Sequence, residues 1–348
     1  MHYNPLCFAI LTKLMNIIFR LIVLFSFLIS AALISAQPNE RDRGIEFYKQ
    51  GKNKEAISIL EKAARQPEFK DDAELWNYAG LAYAANDDNK KARKALEKAV
   101  KLQPERSAFH SNLAYVYLLL KKIDNSQMEA ERALQIDPKN VFAYYVMGIA
   151  NLWEGKLGEA LASTEKIFPI DPSFIRGHML KSDILIAQLG ERVANSGDVS
   201  LETDLLKQAV DVLENGLKNA SAASDLKFLE EKLEGMRAFY KYYDRNRGGL
   251  LNTLATPDPG ITPLKILRKP RAAYTNNARA AGAQGKIRIA VLFGANGKIQ
   301  HILMIKRIGY GLDEEVLNAA RQIVFEPQLK DGKPVSIVKI VEYNFAIY

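Results

Sequence analysis

The chain has 348 residues, of which 48% are hydrophobic and 25% charged, a composition typical of folded globular domains that excludes wholesale disorder. Its single cysteine, Cys7, excludes an intrachain disulfide and a thiolate metal cluster. The four histidines lack ligand-like spacing, so we expect no metal ion and no cofactor; they are His2, His110, His178 and His301. The net charge of +8 arises in residues 262–348, which contain 14 basic and 6 acidic residues.

This basic C-terminal segment has two interpretations. It is either a solvated basic face or a surface for an acidic partner, such as a periplasmic loop or anionic lipid headgroups. The aromatic and glycine signatures of RNA-binding modules and the helix-turn-helix pattern are both missing from the sequence, so we expect no nucleic-acid partner. We also expect no small-molecule substrate.

The N-terminus has the pattern of an export signal. Lys13 and Arg20 precede an apolar run over residues 21–36, and polar residues follow from Gln37 onward. This order predicts a secretory signal over residues 1–36, cleaved between Ala36 and Gln37. An uncleaved inner-membrane anchor over residues 14–36 stays open, because Arg20 can snorkel from a helix end. Both alternatives predict a periplasmic location for the chain from residue 37 onward.

The middle of the chain is an internal repeat. Pro104, Pro138 and Pro172 lie 34 residues apart within similar strings, KLQP, QIDP and PIDP. This period indicates stacked pairs of antiparallel helices, in which small residues mark the closest approach and proline ends the second helix. The markers of four successive units are Gly44, Phe47, Ala56, Leu60 and Ala63; Trp76, Gly80, Tyr83, Ala92, Leu96 and Ala99; Leu113, Ala114, Tyr117, Ala130 and Ala133; and Tyr144, Gly148 and Ala160.

These markers resemble the tetratricopeptide repeat over residues 39–172. Beyond Pro172 the period weakens, and we predict a widened helical pair over residues 173–190 and 203–219, separated by a polar insert over residues 190–200. A helix over residues 223–243 is expected to cap the array with a polar outer face. The predicted fold of residues 37–244 is therefore an all-α solenoid, with a degenerate repeat and cap over residues 173–244.

The resemblance implies a groove for a protein partner along the first helix of each unit. Carried over by position, its lining residues are Asn77, Leu81, Ser111, Tyr115, Leu118, Tyr145 and Ile149. Leu118 and Ile149 have an alternative interpretation as core residues between repeats. Asn77, Tyr115 and Tyr145 are expected at the surface.

Residues 245–262 are rich in glycine and proline, which predicts a linker. The last domain, residues 263–348, begins with a short helix over residues 276–281 and continues in the order β-β-α-β. Strands are predicted over residues 286–293, 298–306 and 335–347, with a hairpin turn at Asn296-Gly297. A helix is predicted over residues 312–323, with three acidic residues in its first turn. This is a small α+β domain.

An ordered set of residues in this last domain resembles the C-terminal domain of TonB. The set is Tyr274, Ala278, Gly285, Ile287, Gly297, Leu312, Asp313, Phe325, Pro327, Gly332, Pro334 and Val335. The resemblance implies that an extended receptor peptide adds itself beside the last strand, where backbone bonds give affinity. The implied contact residues are Val335, Ile337, Lys339, Val341, Glu342 and Tyr343. Lys339 and Glu342 have the alternative role of guarding an open edge against aggregation.

Two functions follow from these modules. The first is a periplasmic adaptor whose repeats bind a protein and whose last domain docks on an outer-membrane receptor or other partner. The second is a membrane-anchored TonB-type energy transducer. The TonB resemblance would imply an anchor histidine and a proline-rich spacer for transduction, and the sequence has neither between His2 and His110. We expect no enzymatic activity, because the sequence shows no catalytic triad, phosphate loop or nucleotide fingerprint.

Overall fold

A computed structural model describes residues 39–196, 203–220, 225–245 and 260–346. The predicted export signal with its cleavage site at Ala36 and Gln37 lies outside the described residues, as does most of the predicted linker. The chain divides into two compact units, the first ending at Glu105 and the second beginning at Arg106.

Antiparallel helical pairs form the described part of the chain before residue 246. The helices are α1 (Glu40–Lys49), α2 (Asn53–Ala63), α3 (Ala73–Ala85), α4 (Asn89–Leu102), α5 (Ser107–Leu119), α6 (Ile123–Ile136), α7 (Val141–Trp153), α8 (Leu157–Glu165), α9 (Ile175–Ser196), α10 (Thr203–Asn219) and α11 (Leu226–Arg245). A short 3-10 helix, Pro67–Phe69, joins α2 to α3. The prediction of a helical-repeat solenoid is confirmed.

Small residues set the spacing within each pair. A Cβ atom built on Gly80 in α3 would lie 2.5 Å from Leu96 Cγ in α4, and one on Gly148 in α7 would lie 2.7 Å from Thr164 Oγ1 in α8. Ala114 takes the equivalent place in α5 and is fully buried. Because protein interiors are close-packed, a larger side chain at these positions would push the two helices apart.

The prolines end the second helices of two pairs but not of the third. α4 ends two residues before Pro104, and α6 ends two residues before Pro138. In contrast, α8 ends at Glu165, well before Pro172. The reason is Pro169, which has no N–H to donate to the Glu165 carbonyl and disfavours helical geometry in the residue before it.

The region after Pro172 also differs from its predicted limits. α9 continues through residues 190–196, so the first part of the predicted polar insert is helical, and residues 197–202 lie outside the description. The stretch over residues 175–196 contains several good helix formers and no proline, which lets the helix continue. α11 begins three residues later than predicted and ends two residues later.

The last domain has the predicted β-β-α-β order. β3 (Gly285–Phe293), β4 (Ile299–Lys306), α13 (Leu312–Arg321) and β8 (Ile337–Phe345) follow one another, and the antiparallel strand order is β4-β3-β8. Gly297, in the turn between β3 and β4, has the positive φ of 75° that a tight hairpin requires. α12 (Asn276–Ala280) is the predicted short helix.

Five short strands were not predicted, because segments of two to four residues carry no measurable alternation. β1 (Ile261–Thr262), β6 (Gln328–Lys330) and β7 (Lys333–Val335) form one small sheet, and β2 (Lys265–Arg268) pairs with β5 (Val324–Glu326).

Both faces of the β4-β3-β8 sheet are buried. Alternate residues of β3, such as Ile289 and Val291, join a core with α13. The intervening residues, Ala290 and Leu292, join a second core that includes buried residues of α9, α10 and α11. The helix α11 therefore does not present the expected polar outer face, since this sheet covers it.

The closest approach between helix and sheet is at Gly190 in α9. A Cβ atom built on Gly190 would lie only 1.9 Å from the carbonyl oxygen of Ile305. Ile305 is the extra residue of a β-bulge in β4, where the register with β3 shifts. A glycine is therefore required at this point of contact.

Candidate functional sites on the repeats and on a sheet edge

The first helices of the first two pairs in the second unit differ from their partner helices in charge. Neither α5 nor α7 contains an Asp, Glu, Lys or Arg residue, whereas α6 contains several. Four half-buried aromatic rings form a continuous row across this surface: Tyr115 on α5, Phe142 and Tyr145 on α7, and Phe174 before α9. Successive ring centroids lie 5.5, 5.9 and 5.5 Å apart. We call this row the aromatic stripe.

The electrostatics of the stripe are those of a neutral surface. Burial raises the pKa of Tyr145 to about 12, so its hydroxyl stays protonated and can donate a hydrogen bond. At one end Arg176 Nε donates to Asp225 Oδ2 at 2.7 Å, which balances that charge. A surface of this kind suits apolar and aromatic peptide side chains, with a few hydrogen bonds from tyrosine hydroxyls.

The predicted groove residues do not all reach the surface. Tyr115 and Tyr145 lie in the stripe, and the half-buried Ile149 packs against the neighbouring cores. Ser111 is buried, and its Oγ accepts a hydrogen bond from Asn140 Nδ2 at 3.2 Å. Leu118 is buried, in agreement with the alternative interpretation of this residue as part of the core between repeats.

The remaining two predicted groove residues belong to α3 of the first unit. Leu81 is half-buried, but Asn77 is only 6% exposed. The expectation that Asn77 lies at the surface is wrong, because its side chain belongs to the buried face of α3 together with those of Ala73 and Gly80. Whether a polar residue on a helix is exposed can be decided only when the elements that pack against the helix are known.

Phe142 and Phe174 are stripe residues that the sequence analysis missed. The signal for Phe142 was the absence of charge from α5 and α7, which distinguishes these helices from their charged partners. Phe174 follows Pro172, where the repeat period weakens, and no positional rule identified it.

The second candidate site is the outer edge of β8. This strand pairs with β3 along its whole length, from Ile337 opposite Phe293 to Phe345 opposite Gly285. In the described residues no strand pairs with its other side. The carbonyl oxygen of Glu342 accepts a hydrogen bond from Lys269 Nζ at 3.0 Å, so this group faces away from β3.

The pairing rule then orients the rest of the strand. In an antiparallel ladder, alternate residues direct both backbone groups to the same side. Val338, Ile340 and Asn344 therefore share the outward direction of Glu342. The outward backbone N–H of Val338 already has a partner, because it donates to the hydroxyl of Tyr242 on α11. Burial nevertheless raises the pKa of Tyr242. In the described residues, the outward backbone groups of Ile340, Glu342 and Asn344 therefore have no partner strand, and the Glu342 carbonyl is the acceptor for Lys269.

The predicted edge residues have different surroundings. Ile337, Val341 and Tyr343 are buried in the core with α13, Val335 is half-buried in β7, and Lys339 is exposed. These three buried side chains support the sheet, so a strand added to this edge would meet the backbone and the exposed residues. Burial also raises the pKa of Tyr343 to about 12.

Glu342 is surrounded by cations. Its carboxylate lies 3.0 Å from Arg288 Nε and 3.4 Å from Lys286 Nζ, both on the neighbouring strand β3. These cross-strand pairs occupy the carboxylate, while the backbone of Glu342 remains on the outer edge. With Lys269 nearby, three cations share one acidic group, and the edge is electropositive.

Asp313 has a structural role that its position at a helix start did not reveal. It is 7% exposed, and its Oδ1 accepts hydrogen bonds from the backbone of Ile308 and Gly309 at 3.1 and 3.3 Å. The loop that it holds contains three consecutive residues of positive φ, Gly309, Tyr310 and Gly311. Such backbone requires support from outside the loop.

Two further properties concern the described residues alone. Within them, no group of three or more His, Cys, Asp or Glu side chains is arranged to hold a metal ion. Among the helices that the structure describes, none has both the length and the apolar character needed to cross a membrane.

Comparison with known families identifies both modules. The family model of the Gram-negative bacterial TonB protein C-terminal domain matches residues 270–347. Two tetratricopeptide repeat models match residues 73–106 and 108–140.

The similar proteins share the repeats over short stretches. Small glutamine-rich tetratricopeptide repeat-containing protein 2 of Saccharomyces cerevisiae is 29% identical over 140 residues, covering 34% of this chain and 40% of that protein. FK506-binding protein-like of Homo sapiens is 36% identical over 69 residues, or 20% of each chain. The chain thus spans less than half the length of these curated relatives. Among solved structures, MamA from Desulfovibrio magneticus RS-1 is 21% identical over 50% of this chain and 92% of its own, with a TM-score of 0.40.

Proposed function

Since residues 73–106 and 108–140 are tetratricopeptide repeats and residues 270–347 are a TonB C-terminal domain, we propose that this protein is a non-catalytic adaptor of the periplasm. Its repeats hold one protein partner. Its C-terminal domain docks on a second, an outer-membrane receptor or another exported protein, by accepting an extended peptide beside β8.

The observation that carries this proposal is the outer edge of β8. The backbone groups of Ile340, Glu342 and Asn344 are directed away from β3, and among the described residues no strand pairs with them, while the Glu342 carbonyl accepts a hydrogen bond from Lys269. An edge of this kind supplies a row of donors and acceptors to an added strand. The aromatic stripe supports the proposal that the repeats hold a protein partner, because the centres of protein interfaces are enriched in aromatic side chains and depleted in charged ones.

A proline substitution tests strand addition. Ile340→Pro removes an outward N–H while leaving the N–H groups that β3 uses, and proline is tolerated on edge strands. We expect a labelled TonB-box peptide to bind the full-length protein, and the variant, which lacks one backbone hydrogen bond, to bind about twofold to tenfold more weakly. Fluorescence anisotropy measures the affinity.

The matched control is Ile340→Val, which changes the same side chain but keeps the N–H. It should bind the peptide like the original protein. Circular dichroism and thermal melting establish that both variants are folded. Equal peptide affinity for Ile340→Pro and Ile340→Val would mean that the peptide does not pair with this edge.

A membrane-anchored energy transducer for TonB-dependent transport is the second candidate. It is favoured by the TonB family match together with the apolar residues 21–36. In this alternative residues 14–36 stay in the inner membrane, and the repeats replace a spacer.

The N-terminal residue of the mature protein separates the two candidates. If sequencing finds Gln37 first, the anchored transducer is excluded. If the intact N-terminus is recovered in the inner-membrane fraction, the soluble form of the adaptor is excluded, and coupling to transport becomes the next property to measure.

A further inference from the structure

An exposed ribbon over residues 261–271 runs along the C-terminal domain, and apart from Lys269, which contacts the β8 edge, it belongs to neither proposed binding site. We call it the basic ribbon. It contains β1 and β2, and within it Ile266 is 41% exposed and Leu267 is 52% exposed. The pairing of β2 with β5 shifts at Leu267, which has no partner residue on β5. Bulges of this kind redirect a side chain, and here an apolar side chain is left in solvent.

Cations flank these two apolar residues. Lys265, Arg268, Lys269 and Arg271 are all exposed. Lys265 Nζ lies 3.7 Å from Glu326, and Lys269 binds the Glu342 carbonyl. Within the residues that the structure describes, Arg268 and Arg271 pair with no acidic side chain. The ribbon therefore has an excess of positive charge around an aliphatic centre.

The surrounding strands extend the same character. Ile261 and Val324 are further exposed aliphatic residues, and Lys330 lies opposite Ile261 in the pairing of β1 with β6. Exposed aliphatic residues and cations therefore neighbour one another along the ribbon and its partner strands β5 and β6. Together these segments hold five of the 14 basic residues of residues 262–348.

We propose that the basic ribbon binds the surface of an anionic lipid bilayer. Exposed aliphatic side chains enter the boundary between headgroups and acyl chains, while lysine and arginine reach the phosphates. The charge complementarity favours an anionic over a neutral surface. An acidic polypeptide would satisfy the cations but would leave Ile266 and Leu267 in water, which is why we place it second.

Vesicle sedimentation tests the proposal with the full-length protein. We compare vesicles of phosphatidylcholine alone with vesicles that also contain phosphatidylglycerol, each at low and high salt. The test variant, Lys265→Gln/Arg268→Gln/Arg271→Gln, should lose on the order of a hundred-fold in affinity for the anionic vesicles, since each cation contributes about fivefold, and it leaves Lys269 at the β8 edge unchanged. All proteins compared carry the same N-terminus, so any membrane affinity of residues 21–36 cancels.

The matched control removes the same charge elsewhere. Lys90→Gln/Lys94→Gln/Lys101→Gln changes three exposed lysines of α4 and should bind like the original protein at moderate salt. A second variant, Ile266→Thr/Leu267→Thr, keeps every charge and the strand preference of β2. It should weaken binding by a similar factor at low and high salt, because the apolar contribution is not screened, whereas the loss caused by the charge substitutions should become smaller at high salt.

Three results would overturn the proposal. The ribbon variants could bind anionic vesicles like the original protein, or the α4 control could lose as much affinity as the ribbon variant. The third is ribbon-dependent binding of poly-glutamate without binding of vesicles, which would identify an acidic polypeptide as the occupant. Binding of the TonB-box peptide, measured in parallel, reports separately on the β8 edge.

Discussion

At the scale of single residues, Lys269 occupies a position that a partner strand would need. Its Nζ donates to the Glu342 carbonyl at 3.0 Å, and it lies 5.0 Å from the centre of the Tyr343 ring. The carbonyl is an outward acceptor of β8, so an added strand would donate its own N–H there. The two interactions exclude each other.

We therefore predict that Lys269→Ala strengthens binding of an extended peptide to β8. An exposed hydrogen bond is worth about 0.5–1.5 kcal/mol, so the dissociation constant should fall by about twofold to tenfold. Fluorescence anisotropy with a labelled TonB-box peptide measures the change. Lys298→Ala, in the turn between β3 and β4, removes the same charge and should have no effect. Weaker binding by Lys269→Ala would show that the lysine contacts the peptide instead of competing with it.

At the scale of elements, the aromatic stripe distinguishes the first helices from the second helices of the repeats. The helices α5 and α7 contain no Asp, Glu, Lys or Arg, whereas α6 contains several. The four rings of the stripe form successive contacts across three helical pairs. Packing within the repeats does not require uncharged first helices, because the stripe residues are only half-buried and part of each ring is open to a partner.

Selection of peptides from a random display library tests the stripe. We expect the peptides selected on the original protein to be rich in apolar and aromatic residues and poor in charged ones. Their binding should fall about tenfold or more in Tyr115→Ala/Tyr145→Ala, since aromatic anchors contribute most of the energy of such interfaces. Met128→Ala removes an exposed apolar side chain from α6 and serves as the control. Selected peptides rich in acidic residues would contradict a neutral peptide site.

At the scale of the whole molecule, the second unit shares one hydrophobic core between its last helices and the sheet. Leu292, Leu303, Ile305 and Val338 are buried together with residues of α9, α10 and α11. A fragment containing only residues 262–348 would expose these side chains. Binding studies should therefore use the full-length protein.

Gly190 tests this shared core. Gly190→Ala places a Cβ atom against the Ile305 carbonyl, and we expect the free energy of unfolding to fall by about 1–3 kcal/mol. Gly158→Ala is the same substitution in helix α8, where an added Cβ meets nothing within 4 Å. It should raise the free energy of unfolding by up to about 1 kcal/mol. Denaturant titration measures both. Equal effects of the two substitutions would mean that α9 does not rest on the sheet at this point.

The sequence by itself determined the features that depend on local pattern. The 34-residue spacing, the small residues at Gly80 and Gly148 and the alternation along β3 and β4 each reflect contacts between residues close in the chain or repeated at a fixed interval. These patterns sufficed for the helical array, the β-β-α-β order and the hairpin at Gly297. The burial of β3 on both faces was not predicted, and the helices that cover it are known only from the structure.

Only the tertiary structure decided which surfaces remain for partners. Lys269 and Glu342 are 73 residues apart in the chain, and no local pattern brings them together. The burial of Asn77 and the packing of α11 on the sheet depend in the same way on neighbours distant in sequence. The physical reason is that the period of a helix or strand determines which residues share a face. Which other element covers that face is determined by the packing of the whole unit.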